Sequence, residues 1–467
     1  VPDFHLVTPL ATALENEVAT DMRTTDTAGQ LSLFSGQAAS GAVSPLIDRT
    51  PDLRPDDVDS VIDAERRQRL VGLAAELQQR QPEQQPQGQR VSGGARPQTK
   101  APSSHAAFSF STLVQAYIDC RQHKRTTPSA RAFEAHQEAN LWRLYQSLQD
   151  RTYAPGRSIC FVITRPKPRE VWAAPFVDRI VHHLLYNHVA PRFHAGFIAD
   201  SCACIPGRGT LYAGNRLAAK IRSITANWRR PAWYLKCDLA NFFVSIDKAI
   251  LRGLLARRIH EPWWMDLAET ILFHDPRPDV HLQSRARQLA LVPPHKRLRS
   301  QSADHGLPIG NLSSQFFANV LLDALDQHVK HRLQVRHYIR YVDDFILLHE
   351  SPQQLNAWLA DITTWLPREL HLQLNPRKTI LQPIERGVDF VGHLIKPWHH
   401  TTRRRTVRAG LQRLATMPAE DVFTSANSYF GLLRQVPASH VDRARLANLV
   451  RARGHCVDAD LTKAYRT

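Results

Sequence analysis

Tyr338-Ile339-Arg340-Tyr341-Val342-Asp343-Asp344-Phe345-Ile346-Leu347-Leu348 sets two adjacent carboxylates between two short apolar runs. Runs of this length and make-up read as two strand halves, with the polar pair as the turn of a hairpin. Aspartate favours turns, so a purely structural turn is the rival reading of this pair taken alone. It does not stand alone. Upstream, Tyr234-Leu235-Lys236-Cys237-Asp238-Leu239 belongs to a second apolar strand, Trp233 to Asp238, that ends in an acid able to converge on the same point. Two or three carboxylate oxygens at one point suit Mg²⁺, a hard ion that takes oxygen ligands in octahedral geometry and shares them with substrate phosphates. Two such ions, one on an attacking 3′-hydroxyl and one on departing pyrophosphate, support phosphoryl transfer while the protein supplies position and charge.

Charge points to a polyanionic partner. Lys+Arg number 60 against 43 Asp+Glu in 467 residues, a formal net charge of +17, and the pI is near 10.0. The excess is uneven. Residues 1–100 hold 10 Lys/Arg and 14 Asp/Glu, so residues 101–467 carry 50 against 29. A solvated basic surface is the alternative to a nucleic-acid partner. Six cysteines in a chain of this length imply reduced thiols and no disulfide framework, and Cys202-Ala203-Cys204 lacks a second Cys/His pair at zinc-finger spacing. No apolar run approaches a membrane span and no secretory pattern opens the chain, which places the protein in the cytoplasm.

Residues 1–50 carry neither helical nor strand periodicity. From Asp56 to Gln79 the positions Val58, Ile62, Leu70, Leu73 and Leu77 recur near helical spacing after an acidic first turn. A Gln/Pro/Gly/Ser linker follows, with almost nothing to bury, and a folded region is expected from Phe108. The pattern then predicts helices over Phe110–Cys120, Phe133–Gln149, Asp178–Val189, Ile250–Ile259 and Leu312–Leu333, and a strand over Ile159–Thr164. The class is α+β.

In order and wording these segments resemble reverse transcriptases. The resemblance runs from Phe108 to the C-terminus and implies a right-hand polymerase: fingers over 108–232, a palm over 233–397 and a helical thumb over 398–467, behind a largely disordered extension, 1–107. It implies two Mg²⁺ ions, with Mn²⁺ as a substitute, held by Asp238, Asp343 and Asp344, the last from behind or on one ion only. Phe243 falls where the family places an aromatic gate against the ribose 2′-hydroxyl; a core aromatic beside Phe242 is its other reading. Leu374-Asn375-Pro376-Arg377-Lys378-Thr379 looks like the segment whose lysine protonates pyrophosphate, making Lys378 the general-acid candidate.

Gly306-Leu307-Pro308-Ile309-Gly310-Asn311-Leu312-Ser313-Ser314-Gln315 resembles the family's nucleotide-lining segment, with Ile309, Gly310 and Gln315 as contacts. Its LPIG followed by NLSSQ, and Pro293-Pro294-His295-Lys296 before it, are similar to the enzymes of diversity-generating retroelements, which miscopy template adenines. Apolar Ile309 offers one polar contact fewer to the nucleotide. In the fingers, Arg165-Pro166-Lys167-Pro168-Arg169 matches an opening segment in which Lys167 and Arg169 clamp triphosphate oxygens. Asp178 and Arg179 read as a structural ion pair. Asp389-Phe390-Val391-Gly392-His393 resembles a primer grip, carried by Phe390, Val391 and Gly392. Arg403, Arg404, Arg405 and Arg408 on a helix, beside Trp398 and His399, suit the phosphate backbone.

About 70 residues follow the grip, too few for a thumb plus an RNase H domain. The resulting expectation is an RNA-directed DNA polymerase that takes an RNA template, a DNA or RNA primer and dNTPs, with an accessory RNA-binding protein as a further partner. A retron or antiphage-defence enzyme is the alternative within the family. A non-catalytic RNA-binding protein on a polymerase fold is the alternative outside it.

Overall fold

The computed structural model describes residues 107–122, 127–164 and 167–466, together with Gln68 and Gly72, both helical. Apart from those two and Ala107, the 1–107 extension with its expected helix and linker lies outside the described residues, as do Arg165 and Pro166.

The described chain opens with α1 (Phe110–Arg121), α2 (Pro128–Glu134) and α3 (Gln137–Gln149). Ser109 and Thr127 cap the first two, each side-chain oxygen accepting a backbone N–H of the first turn. The single helix expected over 133–149 is in fact two, because His136 leaves helical geometry at φ −132° and ψ 46°. The break is tolerated: the Asn140 side-chain amide joins the His136 N–H in donating to the Phe133 carbonyl at the helix end. Next come β1 (Ser158–Ile163), β2 (Arg169–Ala173), α4 (Phe176–His194) and α5 (Thr210–Ile224). Asp178 and Arg179 do not pair with each other. Buried Asp178 accepts the Tyr153 hydroxyl and the Gly156 N–H, while Arg179 donates to the Ala174 carbonyl.

The central run is β3 (Trp233–Asp238), α6 (Phe242–Ser245), α7 (Lys248–Ala256), α8 (Pro262–Phe273), β4 (Val280–Leu282), α9 (Ala286–Ala290), α10 (Leu312–Gln327), β5 (His337–Tyr341), β6 (Asp344–His349), α11 (Pro352–Leu370) and β7 (Ile380–Pro383). Four of its strands form an antiparallel sheet in the order β5-β6-β3-β7. Successive side chains of a strand point to opposite faces. Leu235, Cys237, Phe345 and Leu347 therefore join the large core built by α1, α4, α7, α8, α10 and α11. Tyr234, Ile339, Ile346 and Leu348 pack against α5 on the other face. Burial on both faces explains why these strands read as near-continuous apolar runs rather than as alternating ones.

β4 pairs in parallel with β1, fastening the 275–305 insertion to the β1–β2 hairpin. Glu170 of β2 adds a second tie by accepting the Leu298 N–H.

Two tight hairpins follow: β8 (Val388–Phe390) with β9 (His393–Lys396), and β9 with β10 (His399–Thr402). Val391 at φ +45° and Gly392 at φ +90° close the first turn, a two-residue conformation whose twist matches that of its strands. The chain ends in α12 (Arg404–Thr416), α13 (Ala419–Leu433) and α14 (His440–Ala452), closed by the short pair β11 (Cys456–Val457) and β12 (Ala464–Tyr465). These helices enclose a core of their own around Leu414, Phe430, Leu446 and Val450.

His393 sits between these hairpins and α5, fully buried, with its Nδ1 2.8 Å from His400 Nε2. Burial, then His400 and Arg403, push its pKa down to about 4, against an opposing interaction with Gln435. An unfolded histidine titrates near about 6.5. Between those values the unfolded chain binds a proton that the folded one refuses, so stability is lost as pH falls from about 6.5 towards 4, at up to about 1.4 kcal/mol per pH unit. Denaturant midpoints measured across that window should show the loss, and His393→Asn should lessen it, the remainder coming from groups such as His194 and His337 that burial also holds down to about 4.

Candidate active site

Strand register brings the acids together. β3 and β6 pair so that Asp238 faces Asp344, and β5 and β6 pair so that Tyr341 faces Asp344, leaving Val342 and Asp343 as the whole turn. Leu239 N–H donates to the Asp343 carbonyl at 3.3 Å, closing the corner. Asp238 is buried, and Asp343 and Asp344 are partly exposed.

Burial and mutual repulsion act on the hairpin pair despite two nearby lysines. Asp343 is raised to about 6, by burial first and then by the charges of Asp238 and Asp344. Asp344 is raised too, mainly by burial, with Lys236 opposing and Asp238 adding to the shift. Lys236 Nζ lies 3.7 Å from Asp344 Oδ2 and donates to the Asp389 carbonyl at 3.1 Å, linking the central strand to the β8–β9 hairpin.

The 374–379 segment reaches the same corner through its backbone. Asn375 N–H donates to the Asp238 carbonyl at 2.8 Å, and Ala240 N–H to that of Gln373. Asn375 caps the one-turn helix Pro376–Lys378 by accepting the Arg377 N–H. That turn aims Lys378 at Asp238, with its ammonium 2.7 Å from Oδ1 and 2.6 Å from Oδ2. Asn375 Nδ2 adds a contact to Oδ1 at 3.3 Å.

Three carboxylates at one corner, two of them (Asp343 and Asp344) with raised proton affinity, and with only oxygen donors between them, are chemically suited to a hard divalent cation. Their present placement is not yet that of a closed coordination site. Among the described residues no group of three His/Cys/Asp/Glu is set to hold a metal ion, and the Lys378 ammonium lies across both oxygens of Asp238.

Beside the acids runs the 306–315 loop. Gly306 N–H donates to the Ile246 carbonyl and Leu307 N–H to that of Phe243, fixing the loop to α6. Phe243 is half-buried and meets Phe242 edge to face, with 5.2 Å between centroids. On its other side the loop hangs from β2: Trp172 N–H donates to the Ile309 carbonyl at 2.7 Å, and Ala174 N–H to Asn311 Oδ1 at 3.1 Å. Two glycines permit this. Gly306 has φ +87° and Gly310 φ +121°, and a Cβ there would stand 2.6 Å from Leu298 and 2.9 Å from Val171. Ile309 is half-buried, Gly310 exposed, and Gln315 half-buried in the first turn of α10.

Among the described residues, no side-chain hydrogen bond or ion pair of the remaining candidates reaches the three acids. Lys167 and Arg169 are exposed where the β1–β2 hairpin turns. Phe390 is buried, and Val391 and Gly392 form the turn beyond it. Arg403 is engaged by Asp389, leaving Arg404, Arg405 and Arg408 exposed along α12, with Trp398 73% exposed in the adjoining turn. Sequence reasoning passed over Lys236, Asn375 and above all Arg340, whose only signal was a charge inside an apolar strand.

Residues 167–395 match the family model described as "Reverse transcriptase (RNA-dependent DNA polymerase)". Those residues form a reverse transcriptase domain. By family it is an RNA-directed DNA polymerase, a nucleotidyltransferase, and such domains generally use divalent metal ions and RNA templates. Among curated relatives, "Protein YkfC" of Escherichia coli is 23% identical over 317 residues, which are 61% of this chain and 76% of that one. The "Putative COX1/OXI3 intron 2 protein" of Saccharomyces cerevisiae is 21% identical over 223 residues, 36% of this chain and 24% of that protein. Apo telomerase of Candida tropicalis aligns over 66% of this chain and 62% of its own, at 11% identity and a TM-score of 0.40. Telomerase of Candida albicans with a fragment of telomeric RNA aligns over 64% and 58%, at 11% identity and 0.39. The assignment rests on the 167–395 match and not on these loose structural likenesses. Among the described residues no helix is long and apolar enough to cross a membrane.

Lys378→Met would leave Asp238 buried without its ammonium. Because Lys378 is half-exposed, the loss in chelator-treated protein is expected to be only about 1 kcal/mol, read as a lower denaturant midpoint. Added divalent ion should then stabilise this variant more than the parent protein. An equal response in both proteins would show that ammonium and cation do not share a site.

Proposed function

We propose that this chain copies RNA into DNA through two Mg²⁺ ions held by Asp238, Asp343 and Asp344. The observation carrying this reading is the convergence of the adjacent acids Asp343 and Asp344 with the chain-distant Asp238 and Lys378 on one corner of the sheet inside a reverse transcriptase domain. Bound there, the ions would supply Lewis-acid stabilisation of the attacking and leaving oxygens. The protein's share is geometry and proton handling. The paired strand ends fix the carboxylates, and Lys378, released from Asp238 when a cation takes its place, is the acid positioned to protonate pyrophosphate. Phe243, set by its carbonyl bond to Leu307, is the gate against the ribose 2′-hydroxyl. Lys167 and Arg169 meet the triphosphate, Ile309, Gly310 and Gln315 line the nucleotide, Phe390 to Gly392 hold the primer end, and Arg403, Arg404, Arg405 and Arg408 follow the duplex. Fingers, palm and thumb take the residue ranges expected from the sequence, and the enzyme works in the cytoplasm.

The finer reading is a diversity-generating retroelement enzyme, supported by Ile309 within Leu307-Pro308-Ile309-Gly310-Asn311. Its β2 anchor leaves that position no polar side chain with which to test the nucleotide.

Primed RNA templates with dNTPs and Mg²⁺ provide the assay. Asp343→Asn or Asp344→Asn should lower incorporation by about a hundredfold or more, with circular dichroism unchanged. Phe243→Ala should raise ribonucleotide incorporation by about tenfold or more relative to deoxynucleotide. Sequenced products should carry errors concentrated at template adenines, and Ile309→Gln should reduce them. Even errors together with dependence on one structured RNA would point instead to a retron or defence enzyme, and acid-independent synthesis would sink the polymerase reading.

A further inference from the structure

Arg340 is a cation where none belongs by pattern, in the middle of an apolar strand and with no exposed surface. Burying a guanidinium is costly unless every donor is met. Here each of its five N–H groups has an acceptor. Nε donates to Asp326 Oδ1 at 2.8 Å and Nη2 to Asp326 Oδ2 at 2.7 Å. Nη2 also donates to Ser201 Oγ at 2.8 Å, and Nη1 to Asn319 Oδ1 at 3.3 Å. The fifth bond runs from Nη1 to the carbonyl oxygen of Val342, at 3.1 Å.

The partners of the first four bonds are themselves pinned. Asp326 accepts the Tyr338 hydroxyl at 2.8 Å, Asn319 donates to the Ala203 carbonyl, and the strand backbone bonds on both sides of Ser201, from Arg340 N–H to Asp200 and from Cys202 N–H to Arg340. The guanidinium therefore cannot drift, and its fifth bond acts on a fixed point. That point is strained. Val342 has φ +54°, a conformation that β-branched residues rarely adopt and that persists only where the surroundings over-determine it. Its carbonyl shares a rigid peptide plane with the N–H of Asp343, so holding that oxygen sets the orientation from which Asp343 projects.

We infer that Arg340 is the positioning residue of the acidic turn: through the Val342 carbonyl it holds the strained peptide that aims Asp343 at Asp238. The inference builds on the polymerase reading for its consequence in catalysis, but not for its geometry. A purely structural Asp326–Arg340 pair would need only two of the five donors. Lysine, with three donors and no fixed fork, cannot reproduce the arrangement.

The test joins a readout independent of catalysis to a kinetic cycle. Hydrogen exchange of metal-free full-length protein should be about tenfold faster over 341–345 in Arg340→Lys and Arg340→Gln, with α5 and α12 to α14 unchanged. In primer extension the same variants should lose about tenfold to a hundredfold in kcat. Val342→Gly supplies the control, because glycine adopts this φ without strain: on that background the loss caused by Arg340→Gln should shrink to about threefold or less. Equal losses on both backgrounds, or unchanged exchange over 341–345 in folded variants, overturn the assignment. Should the Arg340 variants fail to fold, Ser201→Ala and Asn319→Ala each loosen one restraint on the guanidinium. Faster exchange over 341–345 in either supports the role, and no change in both rejects it. A parent protein without polymerase activity would count against the proposed function, while the exchange data would still decide the role of Arg340.

Discussion

Like charges crowded into a partly dry corner are the constraint around which this molecule is arranged. Two unit charges 4 Å apart repel by about 4 kcal/mol at an effective dielectric constant near about 20, and here three carboxylates meet. Two strand pairings set in opposite directions from β6 force the meeting. Lys378 and Lys236 soften it from the open side. The raised pKa of Asp343 reflects its burial first and the charges of Asp238 and Asp344 second.

Rigidity is supplied from behind and from the side. Behind the turn, helix α10 contributes both Asn319 and Asp326 to the buried guanidinium, so the helix that begins at the 306–315 loop also backs the acidic hairpin. From the side, β2 carries part of the loop's weight through Trp172 and Ala174. A shift of the β1–β2 hairpin would therefore reach Ile309 through a backbone hydrogen bond rather than through loose side-chain packing.

The central strands were legible because they are apolar on both faces: Trp233–Asp238 appears with its predicted bounds, and the two hairpin halves within a residue or so. Elements that carry breaker residues were harder to read. α11 runs through Pro367 in its last turn, and α5 contains Gly214, which a reader of sequence counts against a helix. Its reason lies elsewhere in the chain: a Cβ there would stand 2.9 Å from His393. The acids, Lys378 and the loop glycines were found as residue types in order. Arg340 was not, because its function depends on Ser201, Asn319 and Asp326, which no spacing rule links to position 340. For the same reason Asp178 and Arg179, adjacent in sequence, turned out to serve different partners.

The sheet order also sets a timetable. β3 lies between β6 and β7, and Asp344, the partner of Asp238, is 106 residues further along the chain. At ribosomal rates of roughly 5–20 residues per second, the strand waits roughly 5–20 s for its first neighbour. Throughout that interval Trp233–Asp238 is an apolar segment with unpaired backbone on both edges, the kind of segment that joins any exposed edge it meets. Lys236 and Asp238 are the charges it carries while waiting. Asp238, one of the acids that crowd the finished corner, and Lys236, one of the cations that soften it, thus also guard the nascent strand against aggregation.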